Sequence, residues 1–239
     1  MKSSKGIALF TGLGYLIIFI SGFYANFYTL EGMLADGNPQ LTLANISTQI
    51  GHFQLGIACF SLMIIVDILL AFPLYKLLKS VDRNCAFTSS MVRLINGLIF
   101  LIALVNLFEI ASITQSGTAT AANVIGLLEA FKKMWNVGLL FFGVHLIMLG
   151  WLLVKSLNFP GFIGLLLQIA GLTYLADSGA HLYWAPYQEY RLLFEKLVIG
   201  GGIIGEFSFT IWLLIKGIRI RPKAKPKNAL LSQEKAVSC

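Results

Sequence analysis

Six stretches of this chain are apolar for long enough to cross a bilayer: residues 7–28, 54–78, 87–113, 135–155, 161–181 and 193–216. A helix needs about 20 mostly apolar residues to traverse the hydrocarbon core. Leucine dominates these runs without strict alternation, so the two-residue period of a membrane β-barrel is absent. Helices also close their own backbone hydrogen bonds, which lipid cannot do for them. The pattern predicts an all-α polytopic membrane protein, a bundle of six transmembrane helices over residues 1–217, followed by a basic tail over 218–239 that is expected to be disordered. Residues 42–53 are expected to start the second helix above the membrane with Thr42 as its cap. Residues 118–134 are expected to form a short helix on the same side.

Composition agrees with a lipid environment. Of the 239 residues, 57% are hydrophobic and 12% charged, against about 25% charged in an ordinary soluble domain. The first apolar run is longer than the roughly 7–15 residues of a cleaved signal peptide and is read as a span. Cys59, Cys85 and Cys239 have no metal-type spacing, and a disulfide framework is not expected. The net charge of +7 is read as a membrane-topology signal rather than as a nucleic-acid footprint.

Orientation follows from where that charge falls. Lys2, Lys5, Lys76, Lys79, Arg83, Lys155, Lys216, Arg219, Arg221, Lys223, Lys225, Lys227 and Lys235 lie at one set of helix ends, and only Lys132, Lys133, Arg191 and Lys196 at the other. The positive-inside rule then places both termini in the cytoplasm of a multi-pass protein of the cell's inner (plasma) membrane. The basic tail is either part of that topology signal or a contact for anionic lipid.

Against this apolar background a few residues stand out. An ionisable group at the bilayer centre costs roughly 2.5–3.5 kcal/mol on insertion scales, so it usually faces the bundle interior. Asp67, His145 and Glu206 lie on three different spans, and each stands about 15 Å, at a rise of about 1.5 Å per residue, from the lysine closing its span. Arg93 lies about two turns inside the third span. A guanidinium cannot shed its proton there, so Asp67, and by extension Glu206, are its expected partners. A static pair holding helices together competes with any mechanistic role for this buried centre. Nearer the outer face, Tyr174, Asp177, Ser178 and His181 share one arc of the fifth span, with His52 and Glu109 at similar depth on neighbouring spans. These six suggest an outer vestibule or a metal site. Asp-x-x-x-His alone is a weak metal signal, and ordinary interfacial polarity is the competing account. No phosphate loop, zinc-protease helix or nucleophile elbow occurs. Catalytic residues and a metal therefore stay unassigned, and no cofactor is predicted.

The even-numbered spans echo one another. His145 is followed by Trp151-Leu152-Leu153-Val154-Lys155, and Glu206 by Trp212-Leu213-Leu214-Ile215-Lys216. Three repeated helical hairpins are one reading; a tryptophan and a closing lysine common to any such helix are the other.

Several segments also resemble a bacterial membrane family catalogued as domain of unknown function 4386. They are Gly12-Leu13-Gly14-Tyr15-Leu16-Ile17-Ile18, Phe141-Phe142-Gly143-Val144-His145-Leu146, Gly171-Leu172-Thr173-Tyr174-Leu175-Ala176-Asp177-Ser178 and the stretch from Gly205-Glu206-Phe207 to Lys216-Gly217. The resemblance implies six spans and transfers no activity and no site residues. Three functions stay open. One is a small-solute or proton-coupled carrier, for which a homo-oligomer is expected because six spans are few. The others are a membrane-embedded enzyme with an outward site and a non-catalytic structural or regulatory partner.

Overall fold

A computed structural model describes residues 2–219; the remainder of the basic tail lies outside the described residues. All elements in it are helical: α1 (Lys2–Phe23), which continues as a π-helical segment (Tyr24–Glu31), α2 (Pro39–Thr48), α3 (Ile50–Leu78), α4 (Arg83–Gln115), α5 (Ala121–Lys155), α6 (Gly161–Tyr183) and α7 (Tyr187–Arg219). Six of these are long and apolar enough to span a membrane, the first counting α1 with its π segment. Phe72, Ile102, Val105, Leu172 and Ile204 are among many large apolar side chains left on the outside. Lipid accommodates such a surface and water does not. This is a polytopic helical membrane bundle.

Chain-neighbouring spans pack against each other, and α1 closes on α7, so the six make a ring. Lysines mark one end of the ring, where α1, α4 and α6 begin and α3, α5 and α7 end. The most extensive interface is α5 with α6, which falls between two of the expected hairpins rather than within one.

Capping explains where the helices start. Asn38 Oδ1 accepts the Leu41 N–H at 3.0 Å, with Pro39 in the first turn, as expected of a helix N-terminus. The short helix α2 is therefore separate from α3 and capped by Asn38. Thr42, expected to be the cap, is buried inside α2, where its hydroxyl accepts from Ala35 N–H. Asp82 and Thr120 cap α4 and α5 in the same manner. The short outer helix expected over 118–134 is the first part of α5, which runs unbroken through it. The helix α3 also continues through Pro73.

Two apolar cores stack along the bundle. The one at the Lys-rich end joins all six spans through residues such as Tyr15, Leu74, Leu149, Leu167 and Phe209. The one at the far end joins the π segment, α2, α3, α4 and α5 through Leu30, Ile46, Phe60, Leu107 and Phe131. Neither includes a residue of α7 before Phe209. Between Tyr187 and Gly202 no residue of α7 is fully buried.

Candidate functional site

The two cores leave a polar layer between them. The buried stripe of α4, Ser89, Ser90, Arg93, Asn96 and Phe100, recurs at helical spacing and aims its polar members into the ring. Arg93 is wholly buried. Its Nη2 donates to Asp67 Oδ1 at 2.6 Å and its Nε to the Asp67 carbonyl at 3.1 Å. Its Nη1 donates to the Tyr15 hydroxyl at 2.8 Å and to His145 Nε2 at 2.9 Å. Asn96 Nδ2 donates to Asp67 Oδ2 at 3.3 Å. The charge is thus paired and nearly all of its donors are used, the condition under which a buried ion pair is tolerated.

The partners also settle the histidine tautomer. A guanidinium only donates, so His145 Nε2 accepts and the ring hydrogen sits on Nδ1. That nitrogen lies 2.9 Å from both the carbonyl and the hydroxyl oxygen of Ser89. Both ring nitrogens of His145 are therefore committed, and protonating Nε2 would set an N–H against Arg93.

Glu206 faces this group from α7, across the ring. It lies near Arg93, Asp67 and Tyr15, yet its one side-chain hydrogen bond among the described residues comes from the Tyr174 hydroxyl, 3.1 Å from Oε1. Asp67, Arg93 and His145 thus meet directly, and Glu206 stands beside them without a cation bonded to it. All six spans contribute: Tyr15, Asp67, Arg93, His145, Tyr174 and Glu206 come from α1, α3, α4, α5, α6 and α7 in turn.

The six residues assigned to an outer vestibule do not converge. Tyr174 belongs to the central layer. The side chain of a helical residue leans toward the helix N-terminus, which for α6 is the Lys-rich end, so the long tyrosine reaches inward to Glu206. Asp177 accepts from Tyr187 Oη at 2.8 Å, and His181 packs edge-on against the same ring. Ser178 is buried, its Oγ without a protein partner. Glu109 is exposed on the outside of α4. His52 packs against Tyr24, with Nε2 buried and unpartnered. Among the described residues no three of His, Cys, Asp and Glu come together as metal ligands would.

Sequence reasoning singled out neither Tyr15 nor Ser89. Tyrosine within an apolar run reads as ordinary packing, and only the proximity of α1, α4 and α5 gives these hydroxyls a role.

The family model described as domain of unknown function (DUF4386) matches residues 10–217. The chain belongs to this family. It is also similar to an uncharacterised protein of Archaeoglobus fulgidus, 30% identical over 162 residues that make up 66% of this chain and 82% of that relative. No solved structure matches. The DUF4386 match runs from α1 to α7 and so takes in every residue of the central layer.

Proposed function

We propose that this DUF4386 protein is a small-solute or proton-coupled carrier of the cell's inner membrane in which Glu206 takes up and releases the coupling proton. The observation that carries this reading is the isolation of that carboxyl group at mid-depth. Arg93 bonds both Asp67 and His145, and Tyr15, Asn96 and Ser89 bond the three further, whereas Glu206 holds only a tyrosine hydroxyl. Intramembrane ionisable groups are functional sites by default, and carboxylates are common in transporter proton relays. The geometry favours Glu206 alone over a three-membered relay with Asp67 and His145, because His145 has no free nitrogen.

The packing supports access from the far end. The contacts of α7 with α1 run through Leu214 at Gly12, Phe209 at Tyr15 and Phe207 at Phe19, up to the level of Glu206. Beyond that level α7 has no fully buried side chain until Tyr187. The excess of basic residues at the Lys-rich end supports cytoplasmic termini. A dimer is the expected assembly for so few spans.

On a solid-supported membrane carrying the reconstituted protein, at least one solute from a panel of amines, amino acids, sugars and organic acids is expected to give a current that depends on an imposed pH gradient. Glu206→Gln is expected to abolish the current while keeping the wild-type melting temperature, since glutamine still accepts from Tyr174. A current undiminished in the variant removes Glu206 as the coupling site, and silence with every solute removes the carrier.

A second reading, a non-catalytic membrane partner, is favoured by the ion pair of Arg93 with Asp67 and by two apolar grooves on the outside of the ring. It expects Glu206→Gln to shift the melting temperature and nothing else.

A further inference from the structure

One of those grooves carries a charge where a lipid would need it. It lies between α1 and α3 at the Lys-rich end and measures about 620 Å³, within the roughly 300–1,000 Å³ of small-ligand sites. Its walls are Gly6, Ile7, Phe10, Leu69, Phe72 and Pro73, and Lys76 closes it. The space beside Gly6 is open: a Cβ built there meets nothing within 4 Å.

Lys76 has its Nζ 4.2 Å from the centre of the Phe72 ring and forms no ion pair among the described residues. The nearest acid in the chain on this side is Asp82, whose carboxylate is taken up in capping α4. Lys5 directly precedes Gly6 of the opposite wall in the chain. A slot that is hydrocarbon along its length and cationic at its interfacial end is complementary to an acyl chain joined to an anion.

We propose that this groove binds an anionic phospholipid, with an acyl chain along Phe10, Leu69, Phe72 and Pro73 and the phosphate at Lys76. The site is distinct from the basic tail, and it does not rest on the carrier reading. Lysine next to the bilayer surface favours anionic lipid generally; here the groove adds a fixed place for the chain, so charge and shape are separable by mutation.

The test is native mass spectrometry of the protein released from nanodiscs holding equal amounts of phosphatidylglycerol and phosphatidylcholine with the same chains. Wild type is expected to retain phosphatidylglycerol preferentially. Lys76→Ala is expected to lower that preference about fivefold, the weight of one juxtamembrane lysine. Lys155→Ala removes the same charge at the same end, where Lys155 sits 3.7 Å over Trp151 and lines neither groove, and is expected to lower the preference less than Lys76→Ala does. Gly6→Phe should fill the slot without strain and reduce retention of both lipids. Equal retention of the two lipids by wild type overturns the site. An equal loss in the two lysine variants, or a Gly6→Phe protein that binds like wild type, overturns it as well.

Discussion

Arg93→Ala is expected to destabilise the bundle by about 3–5 kcal/mol, the usual effect of removing one member of a buried ion pair. Four hydrogen bonds end on this side chain, and its loss leaves Asp67 charged, with only the Asn96 amide as a side-chain partner, in a layer sealed by two apolar cores. The His145 Nε2 acceptor and the Tyr15 hydroxyl lose their donor at the same time. Arg93→Lys is expected to fall in between. Its three protons radiate from one nitrogen and cannot reproduce contacts spread over Nε, Nη1 and Nη2. Removing both charges together, as in Arg93→Met with Asp67→Leu, is expected to recover most of the loss, because no uncompensated ion then remains. Thermal unfolding of the purified proteins in one detergent orders these variants. An Arg93→Ala protein that melts at the wild-type temperature would show that the pair does not hold the helices together.

The pairing of Arg93 with Asp67 is also the part of the site most legible from the sequence. A guanidinium inside a span must find an acid, and Asp67 lies at a compatible depth on the preceding span. Spans were legible for the same kind of reason, since hydrocarbon thickness sets a length that composition must match. What depended on knowing which helices are neighbours was not. The role of His145 as an acceptor requires α4 to lie against α5 with Ser89 on the far side of the ring. Tyr174 shows a different limit. Its place on the same arc as Asp177 and His181 gives a face of the helix but not the depth that its hydroxyl reaches. The π-helical end of α1 left no mark in the apolar pattern, because the change from i→i+4 to i→i+5 closure is a matter of backbone hydrogen bonding that length and hydropathy do not report. The start of α2 at Asn38 was open to view as Asn-Pro, a cap followed by proline in the first turn, and the expected start at Thr42 overlooked it.

The other large effect is expected at the contact between α5 and α6. On α5, Gly143 and Gly150 are seven residues apart, and on α6 so are Gly164 and Gly171. The helices are antiparallel and the glycines meet in pairs, Gly143 with Gly171 and Gly150 with Gly164. A Cβ at Gly143 would stand 2.8 Å from the Gly171 carbonyl oxygen, and one at Gly171 would stand 2.6 Å from that of Gly143. The obstruction is backbone, which no rotamer change relieves, so Gly150→Ala or Gly164→Ala is expected to destabilise by about 1–3 kcal/mol, the range for overpacking a tight contact, and the leucine variants by more. Gly126 on α5 and Gly200 on α7 meet nothing within 4 Å. Alanine there is expected to be neutral or to stabilise by up to about 1 kcal/mol, because it only removes the helix penalty of glycine. The same chemical change thus has opposite signs at positions that sequence alone cannot tell apart. Melting temperatures of the four alanine variants decide it. The consequence reaches the polar layer. His145 stands two residues past Gly143, about 200° round α5, so whatever forces α5 away from α6 presses His145 against Arg93. A destabilised Gly143→Ala protein should therefore also show a changed imidazole environment by NMR, and Gly126→Ala should not.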